Sequence, residues 1–541
     1  MYVRQDVRGR YGSEGIFQHM TPHIDDKKSD TDVDESSDTY DTIEWLVNNI
    51  PNNNGRVGIM GISYPGFYSA AGMIDNHPCL TCASPQAPIN DFFVGDDFHH
   101  NGAFYLPHAF GFLSSFGKDH PHPDGHPTRP TTPFGTLDRG SNDGYDFYLK
   151  AGPIKNLTAK MSENGPMAEG EDGQNNLWPD LIAHPDYDEF WQSRDIRRHL
   201  NNVNCAVLSV GGWYDAEDPL GPFSTFYETS ARNPDNGEVT LCAGPWAHGQ
   251  WSGGKGLTTH GNVSFYNKTE EYYREHIELP LLRRHLSTPG EDLPPPLPKA
   301  IIFEVGTNEW KRFDTWPPVE ATPKTLHFHT GSGKLSFDAP AAEAAYDEYI
   351  SDPAKPVPSQ DEIAPGMTRA HMTDDQRFAS SRTDVMVYET DVLTEDVTIC
   401  GPFSANLLVS TSGTDSDFIV KLIDVYTGDF PNPEPNPKGL EMGGYQQLVR
   451  AEPFRGKYRN SFEHAEPFVP NEPSKIEFSL PDVCHCFRKG HKIMVHIQSS
   501  FFPIVDRNPQ TFCNIFTCDE DAFQKATQRV HPGSCLEVLV L

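Results

Sequence analysis

Short apolar strands that end in glycine alternate with helix-period segments through the N-terminal half of this chain, and that alternation limits its fold more than any other feature. Val57, Ile59 and Ile62 mark one buried strand, and Cys205–Val210 and Val239–Cys242 repeat the pattern. Before the first of these, Ile43, Leu46, Val47 and Ile50 recur at i, i+3, i+4 and i+7, which is one face of a helix. Phe67, Ala70, Ala71 and Ile74 mark another. Strands separated by helices run in the same direction, because each crossover returns the chain to the edge from which it left. A mainly parallel sheet of the α/β class is therefore expected. Tyr2–Gln5 reads as an earlier short strand, followed by a glycine-punctuated, acid-rich loop.

Two further regimes follow. From about Phe98 to Leu200 the chain is rich in aromatics, His, Gly and Pro, with little strand signal, as an inserted cap would be. From about Thr322 the reading is all-β. Phe403, Ala405, Leu407 and Val409 alternate with outward residues, as do Ile476, Phe478 and Leu480, and proline-rich turns such as Asn432–Pro437 separate the runs. Many short alternating strands indicate a sandwich or jelly roll. Leu293–Pro298 is a stiff connector near the transition. Three regimes suit a chain of 541 residues.

Charge narrows the partners. With 76 acidic against 43 basic residues the formal net charge is −33, which repels nucleic acid and anionic membrane surfaces and suits a cationic ligand or a salty medium. No apolar run reaches the length of about 18 residues that a membrane span needs. Ten cysteines do not make a disulfide scaffold and do not fix the compartment. Cys79 with Cys82, and Cys484 with Cys486, have ligand-like spacing, but neither has a second ligand pair, and both are read as structural.

Gly61-Ile62-Ser63-Tyr64-Pro65-Gly66 lies where a strand meets a helix. A sharp turn there would expose the Ser63 hydroxyl above the strand ends, as in a nucleophile elbow, although Pro65 stands at the second glycine's place. A plain strand–helix turn is the alternative. A serine needs a base, and the base an orienting acid. Asp215 follows the strand ending at Val210, and His248 follows the strand ending at Cys242. Singly these read as a turn residue and a surface histidine; jointly they form a Ser–Asp–His series in the order α/β-hydrolases use. Glu217 and Asp218 come immediately after Asp215. They are either part of a solvated acidic loop or acids placed to meet a cation.

The stretch Asp6-Val7-Arg8-Gly9-Arg10-Tyr11-Gly12-Ser13-Glu14-Gly15, the Ser63 elbow, the Asp215 loop and Gly244-Pro245-Trp246-Ala247-His248 together resemble the cocaine esterase and X-Pro dipeptidyl-peptidase family. Within it the closest resemblance is to α-amino-acid ester hydrolases. Ser412–Phe418 and Asp506–Thr511 extend the likeness into the β region. The resemblance implies an α/β-hydrolase core in two parts (1–97 and 201–300), a helical cap (98–200) and a C-terminal jelly roll (320–541). It implies Ser63 as nucleophile, Asp215 as orienting acid, His248 as base and the Tyr64 backbone N–H as one oxyanion donor. It also implies three carboxylates for a substrate α-ammonium: Glu217, Asp218 and, from Gly95-Asp96-Asp97, the second aspartate, Asp97.

The family's second oxyanion donor is a tyrosine from a loop well before the elbow, and Tyr11 is a poor substitute because it belongs to the motif after Tyr2–Gln5. By the resemblance Tyr2–Gln5 is the fourth sheet strand. Met1–Asp6 has no apolar leader run, and the expectation is that three strands and the tyrosine loop precede Met1 in a longer protein. The expected activity is cleavage, and in this family transfer to an amine such as a β-lactam nucleus, of α-amino acyl groups. Alternatives are an esterase or acylase for neutral acyl groups, an X-Pro dipeptidyl-peptidase, and a non-catalytic protein whose jelly roll binds a glycan. The chemistry needs no metal or organic cofactor, and homo-oligomerisation is an expectation of the resemblance. The remaining acids, such as those from Asp25 to Asp38, are expected on a solvated surface.

Overall fold

The structure is a computed structural model that describes residues 1–10, 12–113, 140–164, 177–254, 256–288, 290, 292–341 and 345–541. Tyr11 and the cap segments 114–139 and 165–176 lie outside the described residues.

A six-stranded sheet runs in the order Val57–Ile62, Leu80–Gln86, Ala206–Gly212, Val239–Gly244, Ala300–Glu304, Glu309–Phe313. All neighbours are parallel except the last pair, which is antiparallel. Period-two alternation sends Ala83, Val207, Leu241 and Ile302 into one core cluster. Their neighbours Cys82, Leu208, Cys242 and Ile301 enter a second cluster on the opposite face. The helices Tyr64–Gly72 and Gly221–Arg232 supply Phe67, Phe223 and Phe226 to the first cluster. Tyr273, Ile277 and Leu281 cover the other. Both faces are buried, as parallel sheets require. Cys82 sits on a strand inside the second cluster, and burial pushes its thiol up to about 12, in line with a packing role.

Three expectations are corrected. Tyr2–Gln5 is not a strand: it is irregular, and Tyr2 is 74% exposed. A strand persists only where its backbone groups find a ladder, and no described strand pairs with this segment. The strand Val57–Ile62, expected to be buried, is the edge of the sheet among the described strands, with Gly58 and Met60 exposed, Met60 by 38%, and its other residues half-buried. Among the described residues it has one strand neighbour, so no strand pairs with its outer side. The third correction concerns the acids from Asp25 to Asp38. Asp34 is not solvated; it is buried at the start of the helix Glu35–Asn49, where its carboxylate accepts from Ser37 N at 2.9 Å. Of that helix's apolar face, Ile43 alone is fully buried.

The expected cap region contributes the helices Leu106–Leu113, Gly144–Ala151, Ile154–Asn164, Trp178–Ala183 and Glu189–Gln192. From Thr322 the chain is a β-sandwich. Its long strands Val397–Thr411 and Ser474–Phe487 pair antiparallel, with a bulge at Gly401–Phe403. Phe403, Ala405, Leu407 and Val409 face the core, as their alternation predicts. The two β-region motifs meet at one buried cation. Arg455 pairs with Asp417 at 2.8 Å and Asp506 at 2.6 Å, while Asn508 donates to Asp417 at 2.8 Å. This network ties the two loops together. The architecture is an α/β-hydrolase core with an inserted helical region and a C-terminal jelly roll. Among the described residues no helix is long and apolar enough to cross a membrane.

Candidate active site

Ser63 stands between the edge strand Val57–Ile62 and the helix Tyr64–Gly72 with φ +67° and ψ −128°. A non-glycine residue adopts that backbone only under constraint. The constraint is visible: Ser63 N donates to Gln86 O at 2.9 Å, and the turn closes on two glycines. A Cβ on Gly61 would lie 2.3 Å from the Pro65 carbonyl oxygen, and one on Gly66 would lie 2.5 Å from the Gln86 carbonyl oxygen. Gly61→Ala is expected to lower stability by roughly 1–3 kcal/mol, because backbone and not a flexible side chain must move. The urea midpoint measures this; an unchanged midpoint would show that the elbow is not held by this contact. The Tyr64 ring is pinned away from the turn, its hydroxyl accepting from Met20 N at 3.0 Å. Its backbone N–H is at the first residue of the helix Tyr64–Gly72, next to the elbow serine, which is where an oxyanion donor is needed.

The acid and the histidine come from adjacent strand ends. Ala206–Gly212 and Val239–Gly244 pair in register, and beyond them Trp213 N donates to Gly244 O at 2.8 Å and Tyr214 N to Trp246 O at 3.0 Å. A Cβ on Gly212 would stand 2.1 Å from Trp246 O, so the two loops touch only because glycine is there. The loops bring His248 Nδ1 to 2.9 Å from Asp215 Oδ2. Asp215 Oδ1 accepts from Glu217 N at 2.9 Å and Asp218 N at 3.1 Å. Burial would raise the Asp215 carboxyl, but the His248 charge and hydrogen bond and these N–H donors hold it below its ordinary value. His248 Nε2 is buried without a hydrogen-bond partner, so Ser63 and His248 are not hydrogen-bonded in this structure.

Carboxylates crowd the histidine. Glu217 Oε2 lies 3.6 Å from Nε2, and Asp218 Oδ2 lies 3.7 Å from Nδ1. Burial alone would lower the His248 pKa. The charge and hydrogen bond of Asp215, then the charges of Glu217 and Asp97, outweigh it and raise the imidazole to about 9. Asp218 is fully buried, and neither of its carboxylate oxygens has a hydrogen-bond partner among the described residues. Burial, then the charges of Asp97, Asp96, Asp215 and Glu217, push this carboxyl well above the ordinary range. Asp97 joins the group by donating its N–H to Glu217 O at 2.8 Å.

The structure separates the two neighbouring aspartates. Asp96 accepts from the N–H groups of Asn90, Asp91, Leu220 and Gly221 at 2.8–3.2 Å, so its lone pairs are spent on the scaffold. Asp97 instead meets His108 Nε2 at 2.8 Å. His108 is absent from the sequence reading; it lies on the helix Leu106–Leu113, and no motif spacing links it to Asp97. Burial lowers its pKa, but the Asp97 hydrogen bond and charge, with Glu217, raise it above the ordinary value. Gln447, also unanticipated, donates from the β-sandwich to the Tyr214 hydroxyl at 3.0 Å, next to Asp215.

An elbow serine and a buried histidine–aspartate pair at the carboxyl ends of a parallel sheet place this protein among the α/β-fold hydrolases. Residues 1–250 match the family described as X-Pro dipeptidyl-peptidase (S15 family), and residues 295–537 match its C-terminal non-catalytic domain. An α-amino acid ester hydrolase crystal structure superposes with TM-score 0.87 at 34% identity, covering 99% of this chain and 85% of that one. An aminopeptidase from a marine sediment archaeon, Thaumarchaeota archaeon, gives TM-score 0.85 at 36% identity, covering 99% and 84%. Cocaine esterase of Rhodococcus sp. (strain MB1 Bresler) is 29% identical over 98% of this chain and 86% of its own. The chain belongs to the cocaine esterase and S15 X-Pro dipeptidyl-peptidase family of hydrolases.

Proposed function

We propose that this protein is a serine hydrolase of α-amino acyl esters and amides. Ser63 attacks the acyl carbonyl while His248 Nε2 takes its proton, and Asp215 holds the imidazole by Nδ1 and stabilises its charge. The Tyr64 N–H receives the developing oxyanion. The acyl–serine ester that forms releases the alcohol or amine, which takes the proton back from His248. Water, or an acceptor amine, then attacks the ester with His248 again as base, and Ser63 is regenerated. Asp97, Glu217 and Asp218 hold the substrate α-ammonium.

One observation carries the substrate class: Asp218 is a fully buried carboxyl with two unpartnered oxygens, beside two other acids and the catalytic pair. A buried acid of this kind is costly unless a cation meets it. The test compares an α-amino acyl ester with its des-amino analogue, alongside the corresponding amides. The expected result is a higher kcat/KM for the amino compounds; equal values would overturn the assignment and leave a neutral-acyl esterase.

The pH profile gives an independent check. Protonated His248 is not a base, so with the des-amino ester kcat/KM rises with pH and levels off above about 9. An α-amino ester brings a positive charge beside the acids that hold His248 protonated, so its rising limb lies at lower pH. It then gains a falling limb as its own amine deprotonates near pH 8. Glu217→Gln removes one of the charges raising His248 and is expected to move the des-amino limb down by about one unit. A limb that stays in place would show that Glu217 does not act on His248.

A further inference from the structure

We propose that His23, Asp25 and His199 form a binding site for a borderline divalent cation of the zinc class, separate from the acids around His248. Their donor atoms all lie within 4.8 Å of one another. His199 Nδ1 is 2.8 Å from Asp25 Oδ1, and His23 Nε2 is 3.8 Å from the same oxygen. Two ligands bound to one zinc at about 2.0–2.2 Å stand about 3.3 Å apart at the tetrahedral angle. The observed separations straddle that value, and Asp25, whose side chain is 68% exposed, is free to adjust.

What distinguishes this group from a chance surface cluster is the support behind His23. Its side chain is 2% exposed, and its Nδ1 lies 3.1 Å from Asp34 Oδ2. Asp34 is fixed in turn, accepting from Ile24 N at 2.9 Å and from Lys27 Nζ at 2.7 Å while it caps the helix Glu35–Asn49. With Nδ1 turned to Asp34, His23 presents Nε2 to Asp25. This carboxylate–histidine arrangement orients a metal-ligating imidazole and raises its basicity.

The second imidazole is also positioned. His199 ends the 3-10 turn Ile196–His199, which Asp195 caps while pairing with Arg197 at 2.7 Å and Arg198 at 3.2 Å. The two rings lie 5.1 Å apart, close enough for both to reach one ion. Two imidazoles with one carboxylate favour zinc, cobalt or nickel over magnesium or calcium, and the remaining positions are filled by water. Such an ion would tie the segment after the N-terminal motif to the chain just before the core strand Ala206–Gly212, and so stabilise the folded state by mass action.

The test uses the full chain, stripped with a chelator and titrated calorimetrically with Zn²⁺ alone, with thermal unfolding measured in parallel. One zinc per chain is expected to bind and to raise Tm. Asp25→Asn and His199→Ala are each expected to weaken binding about tenfold or more and to abolish the Tm rise. These two positions decide the matter if His23→Gln, which alters a buried contact, does not fold. The proposal is overturned if the parent binds no zinc up to about 100 µM, if both variants bind it as the parent does, or if Ca²⁺ competes equally. Asp25 would then be a hydrogen-bonded bridge between two histidines. Ester turnover by the stripped protein does not depend on the ion, so this outcome and that of the ester assays are independent.

Discussion

Ser63→Ala is expected to lower kcat/KM by about 10⁴-fold or more for every ester the protein cleaves, because Ser63 is the nucleophile in the proposed mechanism. Stability should be unaffected. Alanine retains the Cβ that the strained backbone at φ +67° already accommodates, and the backbone bond from residue 63 to Gln86 O is kept. His248→Ala should cost a similar factor, and the double variant little more than either single one, since the two groups act in the same step. Fluorophosphonate labelling gives a direct readout: the parent is labelled and the alanine variant is not. Labelling that survives Ser63→Ala in folded protein would remove Ser63 from the mechanism.

Asp218→Asn has the second largest expected effect, and one with opposite signs on function and stability. Truncating one partner of a buried charge pair costs about 2–4 kcal/mol, or roughly 30- to 1,000-fold in kcat/KM for the α-amino ester. The des-amino ester, which has no charge to pair, should change far less. Without substrate, the same substitution removes a buried acid that is unpartnered and surrounded by other acids. The variant is therefore expected to unfold at a higher temperature than the parent, as when a site is built at the expense of stability. An amino-to-des-amino ratio that stays constant, or a lower Tm, would show that Asp218 serves the fold and not the ammonium.

Much of the candidate site's geometry was legible because it is built from local strain and strand ends. The elbow needs Gly61 and Gly66 within a few residues of Ser63, and the clash distances at both show why. Asp215 and His248 could be located because each follows a short glycine-ended apolar strand, and parallel strands deliver their loops to one edge. The division of labour among the acids was not legible. Asp96 and Asp97 are adjacent and chemically identical, yet the first is consumed by N–H groups of residues 90, 91, 220 and 221. The second faces His108. No spacing rule encodes partners from so far along the chain.

The expectations that failed have the same origin. Tyr2–Gln5 has strand-forming residues but no ladder, Val57–Ile62 has core-forming residues but an uncovered side, and Asp34 is an acid in an acidic stretch yet is buried. The linear chain determined the class of fold, the order of strand, turn and helix, and the residues of the candidate site, because propensity, periodicity and turn strain act over a few residues. The tertiary structure alone decided which acids keep unpartnered oxygens, which histidines come to stand beside which carboxylates and which strand lies at the edge. Those properties depend on burial and on partners brought from elsewhere in the chain.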